Sequence, residues 1–376
     1  MRRDRRSPER PDVGKVPQTS LVLRLGSLLR LSSLWRGGGM SYHGVMKTCT
    51  PFFIALFLVS FLTNIGAGAA PPPDPVYPQV NPGPWFEVDG NWPQKPADIS
   101  WAAIPAVTLD ADGNLWMFTR RAPSVQVYAP DGRYLFGWGD MPGAHGLKID
   151  RDGYVWLTDV HRHVVEKRTR DGKVLMTLGV ENEAGTDEHH FFKPTDLAFA
   201  SNGDIFVTDG YGNARVLHFT KDGTFINMWG SLGTEDGQFS LPHAIVIDSK
   251  DRLYVADRNN ARVQIYSTDG TLLDSWKRLM VPWTFCITAS DEIWVCGSTP
   301  MIWPGKPLGC PPKDQIIAKF NTDGKMLELH GFPKGVDGAE QPGDLNWVHG
   351  IAVDGQGDLY LGDITGKRLQ KFLRRP

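Results

Sequence analysis

The stretch "HGLKIDRDGYVWLTDV" (residues 145–160) contains two short apolar runs joined by a turn that carries aspartate and glycine. The first run ends at Asp150 and the second at Asp159, a pattern typical of two antiparallel strands with a tight connection. Similar pairs begin at residues 106, 146, 196, 244, 286 and 350. Most of them continue with a third strand and a "DG" turn into a fourth, so the chain is predicted to contain six four-stranded units.

A four-stranded unit cannot cover its own faces, whereas six units packed radially around an axis bury one another. We therefore predict an all-β fold, a six-bladed β-propeller, over residues 85–376. The last unit runs out of chain after "RLQKF" (residues 368–372). Its missing strand is predicted to come from the N-terminal stretch "PWFEVDGNW" (residues 84–92), which would close the ring.

The first 84 residues differ in composition from the propeller region. Residues 1–45 are rich in arginine and are predicted to be an unstructured upstream extension. Residues 46–69 contain a lysine, an apolar run from Phe52 to Leu62 and a small-residue end, which together indicate a signal peptide too short to span a bilayer. Residues 70–84 read as a proline-rich linker. The mature protein is therefore expected to be exported, that is, secreted or periplasmic.

Removal of the first 69 residues makes the chain acidic. It leaves 30 lysines and arginines against 39 aspartates and glutamates, a formal net charge of −9. This sign disfavours binding to nucleic acid or to an anionic membrane surface. We expect a small molecule or a peptide as partner, with no stable membrane insertion.

Histidine recurs at one register of the repeat. His145, His243 and His349 each stand five residues before the turn aspartate of the second, fourth and sixth units, whereas Pro105 and Thr195 occupy that register in units one and three. Because the innermost strands of a propeller line its axis, alternate units would bring three imidazoles together. Three histidines with an open fourth position form the ligand set of a catalytic zinc site. Iron, copper and nickel also accept imidazole, so zinc is a preference and not a deduction.

Antiparallel geometry brings the ends of the second strands to the same face as the histidines. The residues just after those strands are Arg120, Tyr211 and Arg258 in units one, three and four. A phenol and two cations would therefore surround the metal. The competing interpretation is structural, above all for Arg258, since "ADRNNARV" (residues 256–263) is typical of a propeller loop.

The fifth unit is the irregular one. It carries the insertion "STPMIWPGKPLGCPPKDQ" (residues 298–315), which is expected on the histidine face, where it could shape or cover the site. It also holds the three cysteines that follow the signal peptide. One disulfide and one free thiol are expected, either Cys296–Cys310 or Cys286–Cys296, and the sequence does not choose between them.

The repeats resemble NHL repeats, and residues 104–372 resemble the catalytic core of the peptidylglycine amidating lyases. The segments that carry the resemblance are "HGLKIDRDGYVWLTDV", "PTDLAFASNGDIFVTDGYGNARVLHF", "GQFSLPHAIVID" and "YVADRNNARVQ", in this order and together with the three histidines. Lyases of that family are six-bladed propellers that cleave peptidyl-α-hydroxyglycine into a peptide amide and glyoxylate. The resemblance therefore implies the same fold and the same reaction here.

The resemblance also implies roles for individual residues. It makes His145, His243 and His349 the zinc ligands, Tyr211 the catalytic tyrosine and Arg120 the catalytic arginine. In this chemistry a Lewis acid acidifies the substrate hydroxyl while a base removes its proton as the C–N bond breaks. Tyr211 would be the base. Arg120 would pair with the substrate carboxylate or with the developing charge.

Other family positions are only partly kept. Trp347 stands where the family has methionine, and it joins Arg258 as a weaker candidate for binding substrate. The family binds calcium through two backbone carbonyls, which fall on Val107 and Leu147, and through an aspartate, whose place is taken by Gly350. The resemblance thus implies calcium as a possible cofactor, but Gly350 lacks the side-chain ligand of this site.

Two alternatives stay open at this point. One is a non-catalytic NHL propeller that acts as a binding module and needs no metal. The other is a metal-dependent lyase or lactonase that acts on another small substrate. If the amidating reaction is the right one, a separate copper monooxygenase is the expected source of the hydroxyglycine substrate.

Overall fold

The computed structural model describes residues 85–300 and 314–376. These residues form six antiparallel sheets of four strands each, which confirms the predicted six-bladed β-propeller. No helix in these two ranges is long and apolar enough to cross a membrane. The predicted extension, signal peptide and linker, together with most of the insertion and Cys310, lie outside the described residues.

Each blade is built from consecutive strands that run from the axis outward, except that the outermost strand of blade 6 is the first strand of the chain. Blade 1 contains β2 (Ala106–Leu109), β3 (Leu115–Phe118), β4 (Val125–Tyr128) and β5 (Tyr134–Trp138). Blade 2 contains β6 (Ala144–Ile149), β7 (Val155–Asp159), β8 (Val164–Arg168) and β9 (Val174–Leu178). Blade 3 contains β10 (Pro194–Phe199), β11 (Ile205–Asp209), β12 (Arg215–Phe219) and β13 (Phe225–Trp229). Blade 4 contains β14 (Pro242–Ile247), β15 (Leu253–Asp257), β16 (Arg262–Tyr266) and β17 (Leu272–Trp276). Blade 5 contains β18 (Val281–Ile287), β19 (Ile293–Ser298), β20 (Gln315–Phe320) and β21 (Met326–Phe332). Blade 6 contains β22 (Val348–Val353), β23 (Leu359–Asp363), β24 (Leu369–Arg375) and β1 (Trp85–Val88).

The N-terminal strand closes the ring as predicted. β1 pairs antiparallel with β24, with Trp85 opposite Arg375 and Val88 opposite Phe372. Glu87 adds an ion pair to the Arg375 guanidinium at 2.8 Å. The two ends of the described chain are therefore held in one sheet, which leaves no blade with a missing strand.

The turn aspartates explain why the repeat is so regular. Asp150 accepts hydrogen bonds from the backbone N–H groups of Asp152 and Tyr154 and from Nε1 of Trp156, six residues downstream on the next strand. One carboxylate thus fixes both the turn and the first aromatic side chain of β7. The corresponding carboxylates of blades 1, 4 and 6 bind the aromatic residue at the same spacing.

The core lies between the blades as six apolar clusters. Each cluster combines residues from two neighbouring blades, and the six together make a closed ring. Trp116 and Leu147, for example, pack together between blades 1 and 2. Large rings such as Trp116, Trp156 and Trp294 are almost fully buried in these clusters, and burial of apolar surface is the main favourable contribution to folding. The propeller therefore holds its innermost strands at fixed positions around the axis.

The cysteines of blade 5 correct one expectation. Cys286 and Cys296 are both free thiols, so the Cys286–Cys296 pairing is wrong in this structure. Across the β18–β19 ladder Cys286 faces Trp294 and Cys296 faces Thr284, so the two sulfurs are not on opposed residues. The Cys296–Cys310 pairing stays a prediction.

Candidate metal centre

The histidines occupy an irregularity that every blade from 2 to 6 shares. Between two successive paired positions, the first strand of the blade has one more residue than the second strand. In blade 2 this extra residue lies between Ala144, which pairs with Asp159 of β7, and Leu147, which pairs with Leu157; the other four blades show the same pattern. Such β-bulges re-aim a side chain out of the regular alternation. The bulge lets His145 and Lys148 line the same small axial cavity although they lie three residues apart.

The three imidazoles converge at the axis. His145, His243 and His349 are 3%, 1% and 3% exposed, and their ring centroids lie 4.8–5.1 Å apart. One ring nitrogen from each histidine lies within 4.8 Å of the corresponding nitrogens of the other two. The three side chains can therefore hold one metal ion, as the repeat register predicts.

Carbonyl groups from the intervening blades fix the orientation of the rings. Nδ1 of His145 lies 2.6 Å from the Thr195 carbonyl oxygen, and Nδ1 of His349 lies 2.8 Å from that of Pro105. Nδ1 of His243 bonds in the same way to the Trp283 carbonyl. A ring that donates from Nδ1 keeps its Nε2 lone pair free for a metal, which is how metal-ligating histidines are commonly supported.

Burial keeps these rings neutral. Desolvation, together with the charges of neighbouring rings and arginines, holds the pKa of His145 and of His243 well below the usual range. Burial likewise lowers the pKa of His349 to about 3. Because a protonated imidazole cannot bind a metal, neutral rings at physiological pH are the form that the site needs. Three neutral imidazoles match the ligand set of a catalytic zinc ion.

Tyr211 extends from the end of β11 over the histidines. Its hydroxyl oxygen lies 3.1 Å from Nε2 of His145 and 3.0 Å from Nε2 of His243. The side chain as a whole is 38% exposed, so its ring borders solvent while its hydroxyl reaches the centre. A group in this position can contact both a metal held by the histidines and a molecule that enters from solvent.

The two arginines come from different blades, Arg120 from blade 1 and Arg258 from blade 4. Nε of Arg120 donates to the Ala144 carbonyl at 3.1 Å, directly before His145 in the chain. Arg258 is only 5% exposed and packs over the Trp347 ring at 5.8 Å. Within residues 85–300 and 314–376 no acceptor satisfies the buried Nε of Arg258. A buried guanidinium with an unsatisfied donor is suited to bind an anionic group of a ligand.

The residues implied in calcium binding lie deeper along the axis. Val107, Leu147 and Gly350 line a cavity of about 20 Å³ beside the histidines. Calcium requires six to eight oxygen ligands, several of them usually carboxylates. Among the described residues, Asp196 is the only carboxylate that lines this cavity, and Lys148 Nζ already lies 3.3 Å from it. The donor set does not fit calcium.

Sequence reasoning missed three features of this centre. In blade 5 the histidine register is occupied by Trp283. The turn aspartate that marks this register in other blades is replaced by Thr288, and counting back five residues from Thr288 would have identified Trp283. The Thr195 hydroxyl, within 2.8 Å of the Pro242 carbonyl before His243, and the Lys148–Asp196 pair were also missed. Both are contacts between blades, for which a repeat pattern gives no signal.

Comparisons with known proteins agree with this architecture. The NHL repeat model matches residues 191–219 and 239–266. Human NHL repeat-containing protein 3 is 30% identical over 312 residues, which cover 77% of this chain and 84% of the human protein. The chain belongs to the family of NHL-repeat β-propellers that includes the peptidyl-α-hydroxyglycine α-amidating lyases.

Two further relatives carry names from peptide amidation. Peptidyl-alpha-hydroxyglycine alpha-amidating lyase 1 of Drosophila melanogaster is 29% identical over 343 residues, 76% of this chain and 59% of the fly protein. Peptidyl-glycine alpha-amidating monooxygenase of Mus musculus is 45% identical over 134 residues, 33% of this chain. The chain spans only 14% of the length of that mouse protein.

Among solved structures, a streptogramin B lyase has a TM-score of 0.52 at 16% sequence identity. The superposition covers 78% of this chain and 98% of the lyase. This likeness concerns the fold alone.

Proposed function

We propose that this protein is a zinc-dependent lyase that cleaves the C–N bond of peptidyl-α-hydroxyglycine and releases a peptide amide and glyoxylate. The observation that carries the proposal is the Tyr211 hydroxyl, 3.0–3.1 Å from Nε2 of two of the three converging neutral histidines. In this proposal a metal site and an acid–base group would meet at one point that solvent can reach. Relatives named as amidating lyases support the choice of reaction.

The reaction needs few groups. The substrate carries a hydroxyl, a carboxylate and an amide nitrogen on one carbon. Zinc bound by His145, His243 and His349 would supply a Lewis acid for the hydroxyl oxygen. The Tyr211 oxygen takes the hydroxyl proton, the C–O bond becomes a carbonyl, and the electron pair of the C–N bond leaves with nitrogen. The proton that Tyr211 removed then passes to this nitrogen, which completes the peptide amide and returns Tyr211 to its starting state.

Positive groups beside the histidines would orient the substrate. Glyoxylate and its precursor both carry a carboxylate, and the buried Nε of Arg258 is an unsatisfied donor beside Trp347. A charge-assisted bond to this guanidinium would fix one end of the substrate. Arg120, held by the Ala144 carbonyl, is then available to the developing charge on the reacting oxygen. Trp347 would form an apolar wall next to the carboxylate.

The proposed reaction requires a source of its substrate. Peptidyl-α-hydroxyglycine has to be supplied by an enzyme that hydroxylates the α-carbon of a C-terminal glycine, and a copper monooxygenase is the proposed class. Export through the predicted signal peptide is part of the proposal.

The test is a glyoxylate assay on purified protein with α-hydroxyhippurate. We expect glyoxylate and benzamide in equal amounts, loss of activity after chelation, and recovery when zinc is added back. Hippurate, which lacks the hydroxyl, is the matched control and should not be cleaved. Measurement of bound metal in the same preparation separates the outcomes.

Two results would contradict the lyase. Bound metal without glyoxylate release would favour a metal-dependent enzyme with another small substrate. A protein without metal and without activity would favour a binding module.

A further inference from the structure

One charged pair, Lys148 and Asp196, lies in the narrow axial channel, which is the cavity of about 20 Å³ that the three histidines also line. Asp196 follows directly after the histidine register of blade 3 and is 4% exposed. Its Oδ2 accepts a hydrogen bond from the backbone N–H of Ile245 in blade 4 at 3.1 Å. Burial raises the pKa of this carboxyl, so the ionised form requires a nearby positive charge.

Lys148 of blade 2 supplies that charge. Its Nζ lies 3.3 Å from Oδ2 of Asp196, and the two side chains are 23% and 6% exposed. Its positive charge opposes the effect of burial on the Asp196 pKa. Through Ile245 the pair connects blades 2, 3 and 4 at the axis, where no ladder hydrogen bonds join neighbouring sheets.

The facing blade contributes no second carboxylate among the described residues that line this cavity. Gly350 of blade 6 lies against blade 1, and a Cβ atom at this position would meet the Val107 nitrogen at 3.1 Å and the Ala106 carbonyl carbon at 3.2 Å. An aspartate there would require the first strand of blade 1 to shift. With a single carboxylate beside an ammonium group, a divalent cation would leave an uncompensated positive charge in a buried channel.

We propose that the Lys148 ammonium is the permanent cation of the axial channel, in place of the calcium ion that the lyase resemblance implies. The ammonium neutralises Asp196 and holds three blades together at the axis. The propeller therefore needs no calcium for its stability. This inference is independent of the proposed reaction, because it concerns stability and ion binding only.

The first test measures calcium directly. Full-length protein is titrated with CaCl₂ by calorimetry, and its Tm is compared in calcium and in EGTA. We expect no binding heat at millimolar calcium and a difference in Tm below about 1 °C. A calcium-dependent rise in Tm of several degrees would overturn the proposal.

The second test is a double-mutant cycle with Lys148→Met and Asp196→Asn. Lys148→Met leaves a buried carboxylate unpaired and should lower Tm by at least about 4 °C. The same change in the Asp196→Asn background should cost less than about 1 °C, since no charge remains to be neutralised. Equal losses in both backgrounds, or no loss in the single variant, would overturn the proposal.

The matched control is Lys167→Met. Lys167 Nζ lies 3.4 Å from Oδ2 of Asp150, and its side chain is 18% exposed against 23% for Lys148. Lys167 stands on the third strand of blade 2, however, and the turn already provides three hydrogen bonds to the Asp150 carboxylate. We expect this variant to lose less than half as much in Tm as Lys148→Met. A loss as large would show that any lysine–aspartate pair has this effect, and it would overturn the special role of the axis.

Discussion

Blades 2, 4 and 6 and blades 1, 3 and 5 use the same backbone position for different tasks. In the even-numbered blades the register holds His145, His243 and His349, whose rings meet at the axis. In the odd-numbered blades the residues at that register contribute their backbone carbonyls, each of which binds Nδ1 of a histidine from a neighbouring blade. Even-numbered blades thus supply the candidate metal ligands, and odd-numbered blades supply the carbonyl groups that orient them.

This difference has a simple physical basis. A carbonyl group is present whatever the side chain, so the register of the odd-numbered blades can hold proline, threonine or tryptophan without losing the hydrogen bond. A metal ligand needs a particular side chain. The odd-numbered blades also carry Tyr211, the proposed base, and Arg120 at the ends of their second strands, whereas Arg258 of blade 4 is proposed to bind the substrate carboxylate. Substitutions in the two sets should therefore give different results.

The largest effect is expected for a ligand of the even-numbered blades. His243→Ala removes one of three imidazoles, and the two that remain are a poor site for a catalytic metal. We expect loss of bound metal and a fall in lyase activity on the order of 10³-fold, equivalent to about 4 kcal/mol of transition-state stabilisation. Metal analysis and the glyoxylate assay check both parts.

The control for this prediction is a buried histidine away from the axis. His218 is 6% exposed and pairs with Asp204 at 3.0 Å within blade 3. His218→Ala should keep its metal and its activity per folded molecule within about twofold. Retention of metal by His243→Ala would show that the three rings do not act as one site.

A group from an odd-numbered blade should separate metal binding from activity. Tyr211→Phe removes the hydroxyl near the two Nε2 atoms but leaves all three imidazoles and their carbonyl partners in place. We expect unchanged metal content and a fall in kcat of about 10²-fold, the usual range for loss of an acid–base group. An equal loss of metal in Tyr211→Phe would mean that the tyrosine is a ligand, and the distinction between the two sets of blades would fail.

The sequence predicts those residues of the site whose positions are set by hydrogen bonds within one pair of neighbouring strands. The distance of five residues from His145 to Asp150 recurs because the turn carboxylate anchors the turn and the next aromatic ring, so the register can be counted. The count is uncertain where Thr288 replaces the aspartate, and Trp283 was therefore not assigned. Local hydrogen bonds carry this information, and they repeat with the sequence.

Contacts between side chains of different blades do not recur at a fixed spacing in the sequence. The Lys148–Asp196 pair joins two strands far apart in the chain, and it depends on a bulge that alters the regular alternation of side chains. The buried position of Arg258 was also unexpected for a residue of a loop-like segment. Both depend on how the blades pack around the axis, which only the assembled ring determines.

A smaller effect is expected from pH in metal-free protein. Burial lowers the pKa of His349 to about 3 from 6.5, so between these values the unfolded chain binds more protons than the folded chain. The stabilising contribution is complete above about pH 6.5 and is lost as the pH falls toward 3. With EDTA present, Tm of the wild type should fall more steeply from pH 7 to pH 4 than Tm of His349→Gln, which has no ring to titrate. Parallel curves would contradict the neutral state of this histidine.

The smallest effect is expected at a supporting position of an odd-numbered blade. The fully buried Thr195 hydroxyl lies 2.8 Å from both the Pro242 carbonyl oxygen and Oγ1 of Thr208, while the Thr195 carbonyl binds His145. Thr195→Val keeps the shape and the carbonyl but leaves a buried acceptor unsatisfied, which costs about 1–2 kcal/mol. We expect Tm to fall by about 2–5 °C with metal content unchanged, as measured by calorimetry.

The matched control is Thr177→Val on the exposed outer strand of blade 2, which should change Tm by less than about 1 °C. If Thr195→Val released the metal, the hydroxyl contact would be needed to position His243, because the carbonyl that binds His145 is retained in the variant. The odd-numbered blades would then determine the ligand geometry through side chains as well as through carbonyl groups. Their register would be as restricted as that of the even-numbered blades, and the difference between the two sets would be one of degree.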